Sequence, residues 1–195
     1  MELGFHWAPS DGAGGLDKAV ICSNCDRVQV YVGGKLTTEV EPDRKSFPHL
    51  RYPQFVFAIG EKLDGNWGDM RLEGYISGKK AMTRDFSGKA FDQRFILIPD
   101  DISLIADGAD TTRVVFRITD EYGNVRPFAD EPIQFEMEGP AEMIGDRIFS
   151  PAGGVGAIWI RAKEKPGRVR LKATHPRLGD QQTEIEIIDA PPERV

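Results

Sequence analysis

KAVICSNCDRVQVYVGGKLTTEVE, residues 18–41, holds two cysteines close together between strand-like runs. KAVICS (18–23) and RVQVYV (27–32) read as strands, and the alternation of the second sets Val28, Val30 and Val32 on one face. Gly33-Gly34 is a hairpin signal, and LTTEVE (36–41) supplies the return strand. A structural zinc site takes four ligands, usually two cysteine pairs. Here there is one pair, and His6, His49 and His175 are scattered. A redox pair sits at the start of a helix, whose dipole lowers the thiol pKa, whereas this pair runs into a strand. The favoured reading is therefore a turn at Ser23-Asn24 flanked by two small residues. A disulfide between Cys22 and Cys25 is a minor alternative.

The same pattern extends in both directions. QFVFAI (54–59), DMRLEGYI (69–76) and KAMTRDF (80–86) read as strands, the last two joined at Ser77-Gly78. A second series starts within IPDDISLIADGAD (98–110) and continues through RVVFRITD (113–120), PIQFEME (132–138), GAIWIRA (156–162), RVRLKAT (168–174) and QTEIEII (182–188). No segment has the period of an amphipathic helix. Many short strands at regular spacing predict an all-β chain of two consecutive immunoglobulin-like antiparallel β-sandwiches, residues 1–94 and 95–195. The joining stretch SGKAFDQRF (87–95) holds two phenylalanines expected to pack, so it does not read as a flexible linker.

Composition narrows the function classes. The chain of 195 residues has 40% hydrophobic and 29% charged residues and a net charge of -6, ordinary for a globular protein. The acidic excess lies in the second half. It repels phosphate backbones, and no basic cluster meets an anionic membrane, so neither nucleic acid nor membrane is an expected partner. The N-terminal MELGFHWAPSDG lacks a basic stretch followed by an apolar run, so no signal peptide is expected in it. The compartment, cytoplasmic or secreted, stays open.

Several motifs carry a resemblance. ICSNCDRVQVYVGGK (21–35) resembles the strand–SNCD–strand–NGK signature of the β-sandwich that follows the catalytic barrel in many bacterial glycoside hydrolase family 2, β-galactosidase-like enzymes. FPHLRYPQFVF (47–57) is similar to that domain's H-P-P-F segment, and RLEGYISGKKAMT (71–83) to its L-x-A-x-G-Y-x-x-G-K stretch. ISLIADGADTTRVVFRITDEYGNVRPF (102–128) and PIQFEMEGPAEMIG (132–145) resemble the next module, a bacterial immunoglobulin-like, invasin-like domain. The motifs occur in order over nearly the whole chain. Gly33 replaces the usual Asn, and Arg51 puts a charge inside the H-P-P-F-like segment.

The resemblance implies a non-catalytic C-terminal region whose partners are the catalytic and other domains of a parent glycoside hydrolase. Retaining enzymes of this kind use two glutamates about 5 Å apart, and the resemblance places them in a barrel of about 250 residues. No stretch here corresponds to either glutamate motif, and no nucleophile elbow or phosphate-cradling loop is present. No catalytic centre, cofactor or metal is expected. Asp100, Asp101, Asp107 and Asp110 suit calcium as residue types, but they lack an EF-hand spacing and read first as turn acids.

Carbohydrate binding is the alternative function. Sugars stack on flat aromatic faces beside polar groups. Trp67, in the glycine-rich run KLDGNWGD (62–69), is the best candidate, with Trp7 and Tyr52 behind it; His49, Asn66 and Asp69 supply hydrogen-bonding groups. Packing or a domain interface is the favoured role for Trp67, since aromatic rings carry large buried area. Trp159 alternates with Ile158 and Ile160: facing inward it is core, facing outward it is a contact for the first domain.

Overall fold

Strands dominate the computed structural model, which describes residues 1–7, 15–63, 67–89 and 91–189. The chain divides into two units, Met1–Phe91 and Asp92–Val195. The division falls a few residues before the one drawn from the sequence. Gln93 N donates to Thr119 O, and Asp92 meets Arg126, so both residues are tied into the second unit.

In the first unit, β1 (Glu2–Leu3), β2 (Ala19–Cys22) and β5 (Phe55–Phe57) form one sheet, in the order β1-β2-β5. The other sheet contains β3 (Arg27–Val32), β4 (Lys35–Val40), β6 (Met70–Ile76) and β7 (Lys79–Phe86), ordered β4-β3-β6-β7. All the pairings are antiparallel. Val28, Val30 and Val32 are buried on one face, as their alternation requires, and meet Ile21, Phe55, Met70 and Leu72 in one core. Both expected hairpins form. Gly33 and Gly34 have φ of 57° and 80°, and Ser77 and Gly78 have 50° and 77°, the paired positive values that match the twist of a two-residue turn.

The SNCD turn differs from a simple reversal. β2 belongs to one sheet and β3 to the other, so residues 23–26 carry the chain across the sandwich. Cys25 N donates to Ser23 Oγ at 3.2 Å. Both thiols are free, Cys22 exposed and Cys25 buried.

The second unit has nine strands among the described residues. β8 (Arg94–Pro99), β10 (Thr111–Thr119), β12 (Ala141–Ile144) and β14 (Val155–Ala162) form a sheet ordered β12-β14-β10-β8. β9 (Ser103–Ile105), β11 (Ile133–Glu138), β13 (Ile148–Phe149), β15 (Gly167–His175) and β16 (Gly179–Ile188) form the facing one, ordered β13-β11-β15-β16-β9. One pairing departs from the antiparallel expectation: β9 runs parallel to β16. β8 and β9 are two halves of one extended segment that changes sheet after Pro99. The crossing is held by Asp100 N donating to Arg113 O at 2.8 Å and Asp101 N to Thr112 Oγ1 at 2.9 Å. Of the two junction phenylalanines, Phe95 is 4% exposed in this core and Phe91 is 56% exposed.

The core centres on Phe116, Phe135 and Phe149, whose rings lie 5.3–5.6 Å apart. Gly156 stands opposite Phe116 in register, and a Cβ there would lie on the Phe116 ring. Ile158 and Ile160 point inward, whereas Trp159 points outward and is 45% exposed. Among the described residues, no helix is long and apolar enough to cross a membrane.

Candidate functional site

Trp7 follows β1 and Trp67 leads into β6. Their rings stack with centroids 4.5 Å apart and planes 18° apart. Trp7 is buried, 3% exposed, and its indole N–H donates to Gly68 O at 3.1 Å. Its ring therefore does not face solvent. Trp67 is half-buried, with one face spent on Trp7. Its indole nitrogen is buried and has no hydrogen-bond partner among the described residues.

The backbone beneath this pair explains the glycines. A Cβ on Gly68 would stand 2.8 Å from Gly33 Cα, and one on Gly88 would stand 2.5 Å from Gly68 C. Three chain segments thus meet backbone to backbone, an approach open only to residues without a side chain. Asp69 stitches them: its Oδ1 accepts from Gly88 N and its carbonyl from Gly33 N, both at 2.9 Å. Asp69 is thereby engaged in holding the loop.

The remaining candidates lie elsewhere. His49 and Tyr52 are exposed on the segment between β4 and β5. The Arg51 guanidinium sits 5.1 Å from the centre of the Tyr52 ring. Among the described residues, neither His49 nor Tyr52 has a ring contact or hydrogen bond to Trp67. Asn66 lies outside the described residues. The structure brings Trp7, Trp67 and Asp69 to one locus and leaves His49 and Tyr52 apart from it.

The acids of the second unit act as turn chemistry. Asp107 Oδ1 accepts from Ala109 N at 2.8 Å and Asp110 N at 2.7 Å, and these N–H groups hold its carboxyl below the usual range. Asp110 accepts from Ile105 N and Thr111 N, and Asp100 pairs with Arg113 at 2.9 Å. In the DEYGN turn, Asp120 Oδ1 accepts from Tyr122 N and Asn124 N, while its Oδ2 accepts from Asn124 Nδ2.

One ionisable cluster had no signal in the sequence. His175, 1% exposed, accepts two backbone N–H groups at Nδ1, from Arg177 at 3.1 Å and Leu178 at 3.2 Å. The proton of the neutral ring therefore sits on Nε2, which lies 3.6 Å from Glu131 Oε2. Arg177 clamps Glu131 at 2.7 and 2.8 Å and reaches Asp92 at 3.3 Å, and Arg126 faces Asp92 at 3.4 Å. Burial holds the imidazole below its ordinary value, against the pull of Glu131. These residues come from turns far apart in sequence, so no spacing announces them. The cluster anchors the start of the second unit.

Comparison with known proteins gives these sandwiches a family. The model of the glycoside hydrolase family 2 C-terminal domain 5 matches residues 96–184. The chain is 35% identical over 164 residues to a β-galactosidase of Thermoanaerobacter pseudethanolicus, covering 80% of this chain and 22% of that protein. It is 30% identical over 121 residues to a β-galactosidase of Rhizobium radiobacter, covering 62% of this chain and 88% of that sequence. Among solved structures, a β-glycosidase from Bacteroides vulgatus shares the fold at a TM-score of 0.74 and 18% identity, over 95% of this chain and 24% of its own. The chain spans about a fifth of the length of the first curated relatives it matches. With both sandwiches in place and the match falling on a C-terminal domain, the chain belongs to glycoside hydrolase family 2, as a non-catalytic accessory region of that family.

Proposed function

We propose that this chain serves a β-galactosidase-like enzyme as the accessory region beside a separate catalytic barrel, which it stabilises and positions. The parent's substrate would then be a β-galactoside, hydrolysed by groups outside this chain. The observation that carries the reading is the 35% identity to a stretch making up 22% of a β-galactosidase, a match wide enough to include residues of both sandwiches. The indole pair supports scaffold over ligand contact: Trp7 and Trp67 satisfy each other's faces, and Arg51 covers one face of Tyr52.

The test compares three proteins: the 195-residue chain, the product of the complete reading frame that contains it, and that product with these residues deleted. The expected result is no hydrolysis of a nitrophenyl β-galactoside by the chain alone, hydrolysis by the complete product, and heat inactivation at lower temperature after deletion. Hydrolysis by the isolated chain, or a reading frame with no barrel, would overturn the proposal.

A further inference from the structure

The second sandwich has two outward faces of opposite character. On the five-stranded sheet, outward positions form charged ladders. Arg170 and Arg168 pair with Glu184 at 3.2 and 3.4 Å, and Lys172 pairs with Asp180 at 2.8 Å. On the four-stranded sheet, the register sets Ile96 and Ile98 of β8, Val115 of β10, Ala157 and Trp159 of β14, and Ile144 of β12 on the outward face. Val115 stands between Ile98 and Ala157, and Trp159 between Ile144 and Arg113. Ile98, Trp159 and Ile144 are 42%, 45% and 41% exposed.

The core does not require these side chains, because Phe95, Val114, Phe116, Ile158 and Ile160 fill it from the other face of the same strands. An antiparallel sheet with one face in water normally turns polar residues outward. A contiguous apolar patch inside a charged rim marks an interaction surface, and tryptophan and arginine dominate the energetics of such surfaces.

The rim fixes the kind of partner. Arg113 is neutralised by Asp100 at 2.9 Å and Arg161 by Glu142 at 2.7 Å. Arg117 stands directly opposite Ile96 across the β8–β10 ladder, and Arg94 is two residues before Ile96. Both are exposed, and neither has an ion pair among the described residues. The patch thus carries unpaired positive charge on a chain of net charge -6. Two copies joined through this face would bring together two surfaces with the same excess of arginine. The charges favour a partner with carboxylates.

We propose that the outward face of the four-stranded sheet docks a separate protein domain, one presenting an apolar patch ringed by carboxylates. Trp159 and Ile98 enter its centre, and Arg94 and Arg117 meet its acids. The inference rests on the accessory-region reading, which supplies such a domain within the parent protein.

Thiol labelling tests it. In a Cys22→Ser background, Ile98→Cys and Ile144→Cys report on the face, and Lys172→Cys reports on the opposite sheet. Each variant is made in the 195-residue chain and in the complete reading-frame product, and maleimide reaction rates are compared. The expected result is labelling at least about tenfold slower at 98 and 144 in the complete product, an unchanged rate at 172, and recovery of the fast rate with Arg94→Glu/Arg117→Glu. Equal rates at 98 and 144 in a product that contains a barrel would overturn this inference and leave the accessory reading intact. A reading frame without further domains would overturn both. Protection that grows with protein concentration and a doubled mass would make the occupant a second copy, and protection indifferent to the charge reversal would remove the acidic partner; either overturns the proposal. Two reporters keep the test decisive if one variant fails to fold.

Discussion

Cys25 and Gly74 share one space in the first sandwich: a Cβ on Gly74 would stand 2.5 Å from Cys25 Sγ and 3.2 Å from Met82 Cγ. The second cysteine of SNCD and the glycine of the Gly74-Tyr75 dipeptide are thus two halves of one packing solution, with the buried thiol filling the room the glycine leaves. Gly74→Ala forces the thiol against a fixed strand and is expected to cost about 1–3 kcal/mol by overpacking. In Cys25→Ala/Gly74→Ala the added methyl occupies the vacated sulfur position, so the double variant should be more stable than Gly74→Ala alone. Urea unfolding of the parent, Cys25→Ala, Gly74→Ala and the double variant measures this, and strictly additive losses would refute a shared space.

Gly156 and Phe116 repeat that relationship across β10 and β14 of the second sandwich, where the glycine lies under the ring. Gly156→Ala should displace Phe116 from its contacts with Phe135 and Phe149, at a cost of about 1–3 kcal/mol. The near-ultraviolet circular dichroism of the aromatic cluster should change with it. An unaltered spectrum and unfolding midpoint would mean that the strand yields instead.

The legible parts of the chain were those where one local rule settled the structure. Val28, Val30 and Val32 alternate against a single core, and Gly33-Gly34 and Ser77-Gly78 carry the left-handed backbone of tight hairpins. β8 gives no strand signal because RFILIP is apolar on both faces and shows no alternation: Phe95 and Leu97 point inward, Ile96 and Ile98 outward. β12 and β13 are too short for their period to register. The Trp7–Trp67 stack and the His175 cluster join residues more than 40 positions apart, which only the sheet topology brings together.

The His175 cluster makes stability depend on pH. Its imidazole is held below the ordinary value of 6.5 in the folded chain, so between the folded and unfolded values the unfolded chain binds more protons. Stability from this residue is complete above about pH 6.5 and is lost as pH falls toward the folded value. His175→Asn keeps an acceptor for the backbone N–H groups and removes the titration. Unfolding measured from pH 7.5 to 5, above the ordinary carboxylate range, should slope downward toward acid in the parent and run flatter in the variant. Parallel curves would place the titration elsewhere.

Asp120 is 4% exposed, and its carboxylate accepts two backbone N–H groups and the Asn124 amide within one turn. Asp120→Ala leaves those donors without their acceptor at the end of β10, at an expected cost of about 2–3 kcal/mol. Chemical denaturation followed in the second unit reads this directly. A loss below about 0.5 kcal/mol would show that the turn is held by its backbone alone.

The indole pair separates the scaffold role from sugar binding. Trp7→Ala removes a buried ring and should destabilise the first unit by about 3–5 kcal/mol. Trp67→Ala removes a half-buried ring and should cost less. If the stack is a packing unit, the double variant will lose less than the two single losses combined, by a coupling of about 0.5–1.5 kcal/mol. Independent losses would mean that Trp67 does not depend on Trp7, and its ring would again be open to a ligand. Titration with galactose and lactose gives the second reading of the same residue. With its face on Trp7 and its N–H buried, Trp67 should show no saturable fluorescence change at millimolar sugar. A saturable change abolished by Trp67→Ala but not by Tyr52→Ala would assign sugar contact to this loop and overturn the scaffold reading of the indole pair.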